Sequence, residues 1–305
     1  MAPGLRLFAY EDAADGVGMA VIEGSRAVPL PACYLESELL YEDDLAGLRR
    51  GAALLSGAVG LDPATLSPRA ALTPGKIICV GLNYADHAAE GGRPTPERPL
   101  LFAKFANAVV GDGEPVIHPE DSHALDLEVE LGVVIGRTAR RVSAAQAMHH
   151  VAGYVVLNDV SARDWQGVPA ALRDGEKGDG QWVRAKGSDT FLPMGPDFVT
   201  ADELDPRDGL RLRSWRITPD GTEHAMQDGT TLDMIWDVPS LIEYISRSVT
   251  LDTGDVIATG TPSGVGVFRD PPVFLQPGDR VRCEIEGIGS VSNPIVDWSG
   301  ADGSA

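Results

Sequence analysis

Three carboxylates at alternate positions, Asp126, Glu128 and Glu130 in "DLEVELGVVIG", are where residue type and spacing first suggest chemistry. Side chains two apart on a strand share a face, so the acids would line one side and Leu125, Leu127, Val129 and Leu131 the other. One reading is a solvated edge, where charge discourages strand pairing. Against it, same-face neighbours lie only about 7 Å apart. Carboxylates that close, beside a strand this apolar, repel unless a cation sits between them. A further acid ends the next apolar run, "VAGYVVLNDV", which stops at Asn158 and Asp159. Glu128, Glu130 and Asp159 would make an all-oxygen triad without His or Cys, a set suited to Mg2+, Mn2+ or Ca2+ and not to zinc. Three protein ligands leave positions on an octahedral ion for water and a chelating substrate.

His87 and Glu90 in "NYADHAAEGG" are three apart. On a helical turn they share a face, and the carboxylate can orient the imidazole and raise its basicity; the plain alternative is a structural histidine. Lys186 in "VRAKGSD" is one of few lysines. Lysine is usually a solvated surface residue, but three carboxylates overcompensate a divalent ion. A nearby cation would balance them and stabilise a developing enolate. The Gly-rich "TGTPSGVG" lacks the Lys-Ser/Thr of a phosphate loop. Lys104 and Phe105 in "LFAKF" either shape a pocket or end a strand, the latter reading being preferred for Phe105. His118, His123, His149, His150 and His224 fall in no motif.

These residues need strands and short helices to hold them. Residues 5 to 30 read as short strands, residues 37 to 58 as helix, and the Pro-rich stretch that follows as a connector, with a domain boundary near residue 74. "ALDLEVELGVVIG" and "VAGYVVLNDV" read as strands, with a helical "SAAQAMHHV" between them capped by Ser143. "GLRLRSWRITPDGTEHAMQ" is a hairpin around Pro-Asp-Gly. "DVPSLIEYISRSV" is a helix capped by Asp237, with Leu241, Ile242, Ile245 and Val249 on one stripe. "GDVIATGTPSGVGV" is a strand entering a Gly-rich loop, and "GDRVRCEIEGIGSVSNPI" a closing hairpin. The sum is a β-rich α+β chain, with a small N-terminal α+β domain at 1–73 and a catalytic domain at 74–298.

Composition narrows the function classes. At 305 residues, 43% hydrophobic and 23% charged, the chain is an ordinary globular one. A formal net charge of −20 repels phosphate backbones, which argues against nucleic acid as a partner. No run approaches the roughly 18 apolar residues of a membrane span, and the N-terminus has no signal-like segment, so the expected location is cytoplasmic. Cys33, Cys79 and Cys283 are odd in number and lack CxxC spacing, which suggests neither disulfides nor a thiolate metal site.

Six segments occur together in one order: "VGLNYADHAAE", "PLLFAKF", "DLEVELGVVIG", "NDVSARDWQ", "RAKGSDTFLPMGP" and "ATGTPSGVG". In their order and spacing, over most of residues 74 to 295, the chain resembles the fumarylacetoacetate hydrolase family. The resemblance implies that family's mixed β-roll catalytic domain and a homodimer. It implies a divalent metal on Glu128, Glu130 and Asp159, with Asp126 not a ligand. It makes His87 and Glu90 a water-activating dyad on a segment that closes over the metal, and Lys186 the catalytic lysine. Arg163, Gln166 and Thr261 match positions that hold substrate carboxylate or carbonyl oxygens, although Arg163 could equally pair with Asp164. Ser188 stands where many relatives have an aromatic residue, which leaves pocket shape open.

The expected activity is Mg2+-dependent hydrolysis of a C–C bond in acylpyruvate-like 1,3-diketo acids, through a metal-held enolate. The same site would also serve decarboxylation or tautomerisation of oxaloacetate, or isomerisation of a 2-hydroxyhepta-2,4-diene-1,7-dioate-type acid. A ligand-binding protein without turnover is the rival from another class.

Overall fold

The computed structural model describes residues 4–12, 16–30, 46–55, 58 and 60–300. Its first strands are β1 (Arg6–Asp12), β2 (Gly16–Glu23), β3 (Arg26–Pro29), β4 (Ile77–Gly81) and β5 (Leu100–Lys104). There follow β6 (Val109–Val110), β7 (Val116–His118), β8 (Leu125–Asp126), β9 (Val129–Ile135) and β10 (Val151–Asn158). Next come β11 (Ser161–Ala162), β12 (Leu192–Pro193), β13 (Asp197–Thr200) and β14 (Arg211–Ile217). The last are β15 (Glu223–Thr230), β16 (Val256–Ala258), β17 (Arg280–Ile285) and β18 (Gly289–Asp297). Nine form a mixed sheet in the order β3-β2-β1-β13-β10-β9-β16-β4-β5, and five a second sheet, β15-β14-β17-β18-β7. The fold is mixed α+β and rich in β.

The central strand β9 runs antiparallel to both β10 and β16. All seven of its residues are buried, because β14 and β17 of the second sheet pack against it. Burial on both faces explains the near-continuous apolar run of "VELGVVI" better than amphipathic alternation does. Leu131, Val133, Val134 and Ile135 join Tyr154, Val155, Val156 and Leu157 of β10 in the main core. Both expected hairpins form, β14 with β15 and β17 with β18. The helix Val238–Ser246 starts at Asp237, whose carboxylate accepts from Ser240 N at 3.0 Å, and buries Leu241, Ile242 and Ile245.

Two local expectations differ from the structure. Residues 123 to 136 are not one strand: β8 and β9 are separated by Leu127 and Glu128. Three side chains take the backbone N–H groups there, since Leu127 N donates to Asp126, Glu128 N to Asn158 and Val129 N to Gln227. A ladder partner is therefore unnecessary at the break. Ser143 precedes the helix Ala144–Ala147 but makes no side-chain cap bond. Phe105 does follow the last residue of β5, whereas Lys104 has a larger part, given below. The helix expected over residues 37 to 58 begins outside the described residues; its described portion is Ala46–Leu55. Cys33 also lies outside them, while Cys79 and Cys283 are buried free thiols. No described helix is long and apolar enough to cross a membrane.

The N-terminal strands join the large sheet through β1, which pairs with β13 at Phe8 and Asp197. Burial, together with the nearby Asp112, pushes the Asp197 carboxyl up to about 7. An unfolded aspartate ionises near 4, so between about 4 and 7 the folded chain holds a proton that the unfolded chain has lost. Stability contributed here is complete below that window and falls as pH rises through it. Asp197→Asn is therefore expected to raise Tm by roughly 5 °C at pH 8 and to leave it unchanged near pH 4, read by calorimetric scans at both values.

Candidate active site

Glu128, Glu130 and Asp159 converge beneath one pocket, with one oxygen from each within 4.8 Å of the others, and all three are buried. The break between β8 and β9 is what turns Glu128 inward. Its N–H donates to the Asn158 side chain at 3.0 Å, and its carbonyl accepts from Asp159 N at 2.9 Å. Glu130 sits within β9 opposite Leu157. Asp159 follows the last residue of β10.

Cations surround this floor unevenly. Glu128 pairs with Arg163 Nη2 at 2.6 Å and with Lys186 Nζ at 2.7 Å. Asp159 pairs with Lys186 at 2.8 Å and with Lys104 at 2.7 Å. For Glu130 the structure shows a backbone bond, from Gly260 N at 2.9 Å, and no ion pair among the described residues. Burial opposes ionisation of Glu128, but Arg163 and Lys186 outweigh it and hold its carboxyl far below the usual range. Burial and the neighbouring Asp159 and Glu128 carboxylates push Glu130 well above that range. Burial works against the charge of Lys186 too, yet Asp159 and Glu128 raise its pKa overall. For Lys104 burial prevails and lowers it.

This donor set fits a divalent cation. It is all oxygen and fully buried, and it includes a carboxyl, that of Glu130, whose ionisation an added positive charge would favour. Binding should therefore expel a proton from Glu130. Calorimetric titration with Mn2+ in buffers of different ionisation heat is expected to show release of up to about one proton per ion, with affinity rising as pH rises. Glu130→Gln should abolish the release.

The expected dyad forms. His87 and Glu90 lie on the helix Ala85–Glu90, with Nδ1 of His87 donating to Glu90 Oε1 at 2.7 Å. That bond commits Nδ1 and leaves Nε2 as the basic nitrogen. The Gly-rich loop secures the helix: Glu90 Oε2 accepts from Gly264 N at 2.9 Å, and Asp86 accepts from Ser263 N and Oγ. The same loop gives Gly260 N to Glu130, and Gly266 N and Val267 N to Asp126. Its N–H groups thus serve the protein's own carboxylates, not a phosphate. Gly260 has φ +93°, and a Cβ there would lie 2.9 Å from Val80 O, so only glycine suits the position.

Arg163 does not pair with Asp164. Its Nε donates to Asp126 at 2.9 Å and its Nη1 to Gln166 Oε1 at 3.1 Å, while Asp164 takes Ser122 and His123. Asp126, buried and bonded to Arg163 and to the loop, is neither exposed nor part of the triad. Thr261 Oγ1 donates to Val129 O and accepts from Gln227 Nε2. Ser188 donates to Arg184 O.

A cavity of about 170 Å3 brings His87, Glu128, Glu130, Arg163, Gln166, Lys186 and Thr261 to one lining, with Phe102, Trp182 and Phe268 as apolar walls. Its volume is below the roughly 300–1,000 Å3 of drug-sized sites and suits a small acid. Lys104 is the functional residue that the sequence reading left unassigned. Its buried Nζ donates to the carbonyls of Val160, Phe191 and Lys186 besides pairing with Asp159. Asn158 is another, visible in sequence only as the polar neighbour of Asp159.

Comparison with known proteins places the chain in a family. The family model described as fumarylacetoacetate (FAA) hydrolase C-terminal matches residues 76–296. The protein named oxaloacetate tautomerase fahd2, mitochondrial, of Xenopus laevis is 41% identical over 287 residues, 92% of this chain and 86% of that one. Oxaloacetate tautomerase FAHD2A, mitochondrial, of Homo sapiens is 45% identical over 223 residues, 73% of this chain and 67% of that one. The crystal structure of 2-hydroxyhepta-2,4-diene-1,7-dioate isomerase from Mycobacterium marinum matches with a TM-score of 0.73 at 34% identity, covering 96% of this chain and 99% of that one. The six ordered segments and the buried triad therefore have one explanation: the chain belongs to the fumarylacetoacetate hydrolase family.

Proposed function

We propose that this chain is a divalent-metal-dependent tautomerase, interconverting the keto and enol forms of an oxaloacetate-type 2-oxo dicarboxylic acid. The observation that carries the reading is a basic imidazole nitrogen, fixed by Glu90, on the same small cavity as three buried carboxylates and Lys186. The curated relatives named above carry the same activity in their names.

Glu128, Glu130 and Asp159 would hold Mg2+ or Mn2+, which when bound supplies Lewis acidity and a template for the 2-oxo acid. His87 Nε2 takes a proton from the carbon between the oxo and distal carboxyl groups, and the Glu90 carboxylate stabilises the resulting imidazolium. Of the three Lys186 protons, one points to Glu128 and one to Asp159. The third can hydrogen-bond the oxygen that gains charge as the enolate forms and pass to it to give the enol. The imidazolium then gives up its proton and Lys186 regains one through solvent, leaving both groups as they began. The apolar walls limit water near that oxygen. Residues 74–298 form the catalytic unit on this reading.

Hydrolysis of an acylpyruvate is the second reading, and the dyad favours it, since an oriented imidazole can equally activate water. The test follows loss of enol absorbance of oxaloacetate, beside product analysis on acylpyruvates and a hydroxy-diene dioate, with Mg2+ and Mn2+ supplied. Tautomerisation no faster than in buffer, together with cleavage of acylpyruvate, would reverse the order of the two readings.

A further inference from the structure

We infer that Arg93 receives the distal carboxylate of a dicarboxylic substrate and so sets a preference for dianions. The inference rests on the reading of the pocket as a 2-oxo acid site and adds a residue to it. Three side chains with permanent or near-permanent positive charge line the cavity: Arg93, Arg163 and Lys186. Arg163 is held by Asp126 and Glu128, and Lys186 by Glu128 and Asp159. Arg93 has no side-chain hydrogen bond or ion pair among the described residues, and it lies exposed at the mouth.

Charge balance gives that cation a task. The floor sets four carboxylates, Asp126, Glu128, Glu130 and Asp159, against three cations, Lys104, Arg163 and Lys186. With a divalent ion held there and all four carboxylates ionised, the floor would carry one positive charge in excess. That matches the carboxylate next to a 2-oxo group and leaves a second carboxylate without a partner. The half-buried lining residues Val168, Trp182 and Phe268 are apolar and offer it none. A guanidinium can grip a carboxylate through two parallel bonds.

Arg93 is also coupled to the base. Its N–H donates to Ala88 O at 3.0 Å, and Gly91 N to His87 O at 3.3 Å, so it rides on the last turn of the dyad helix. A four-carbon diacid held at the carboxylate floor by one end and gripped by Arg93 at the other would lie in the cavity that His87 also lines.

The test uses Mn2+-loaded full-length protein and two unreactive or simple ligands, 3,3-difluoro-oxaloacetate, which has no C3 proton to lose, and pyruvate. Calorimetry should show the wild type binding the dianion more tightly than pyruvate. Arg93→Gln should weaken the dianion by about tenfold or more while changing pyruvate by less than about twofold. Arg93→Lys should keep part of the preference. A wild type that does not prefer the dianion, or a loss equal for both ligands, overturns the inference. Oxaloacetate turnover is measured on the same samples: its absence in the wild type counts against the tautomerase reading alone, and the binding comparison decides Arg93 in either case.

Discussion

His87→Ala is expected to lower kcat for oxaloacetate enol–keto interconversion by about 10²–10⁴-fold, with Mn2+ affinity changed little. The imidazole lines the cavity and bonds to Glu90, yet it shares no hydrogen bond with Glu128, Glu130 or Asp159. Its loss therefore removes a proton acceptor and leaves the ion-binding floor in place. Glu90→Gln should act in the same direction with a smaller effect, because an amide can still accept from Nδ1–H but stabilises the imidazolium less. Steady-state rates on the metal-loaded variants, paired with Mn2+ titrations, check both. Full turnover by His87→Ala would assign proton transfer elsewhere, with Lys186 the next group to examine.

Lys104→Met is expected to destabilise the fold strongly, although the residue lies outside the cavity lining. The lysine is fully buried, pairs with Asp159 and satisfies three carbonyls, one of them that of Lys186. Methionine matches its length but leaves Asp159 with Lys186 as its one remaining cation and three carbonyls without this donor. Breaking a buried pair by removing one partner costs about 3–5 kcal/mol, which for a chain of this size lowers Tm by about 5–15 °C. The loss should be larger in chelator than in Mn2+, since an ion on Asp159 supplies part of the missing charge. Rates should fall as well, because Lys104 anchors the backbone that presents Lys186. Lys177→Met, at an exposed position, is the control. An unchanged Tm in chelator would mean that the Lys104–Asp159 pair contributes nothing to the fold.

The sequence disclosed the acids and the dyad for physical reasons. Glu128 and Glu130 interrupt an apolar run at strand spacing, Asp159 ends another run abruptly, and His87 and Glu90 have the separation of a helical turn. What sequence spacing did not disclose are partners set by topology. Asp126 meets Gly266 across 140 residues, and Glu130 meets Gly260 across 130. Lys104 could be read either as a pocket residue or as a strand terminus, because its acidic partner Asp159 is 55 residues away, just after the end of another strand. Alternation also overstated regularity around Leu127, where the side chains of Asp126, Asn158 and Gln227 replace a ladder.

The charged floor lies just before and on β9 and just after β10, at the middle of the nine-stranded sheet, whereas the dyad occupies a six-residue helix in the connection between β4 and β5. The two groups thus rest on separate segments of the chain. A change of length or sequence in one connecting segment would alter the His87–Glu90 pair without disturbing the strands that carry Glu130 and Asp159. The relatives of this chain include both a protein named oxaloacetate tautomerase and one named 2-hydroxyhepta-2,4-diene-1,7-dioate isomerase, and a scaffold divided in this way has room for such a range.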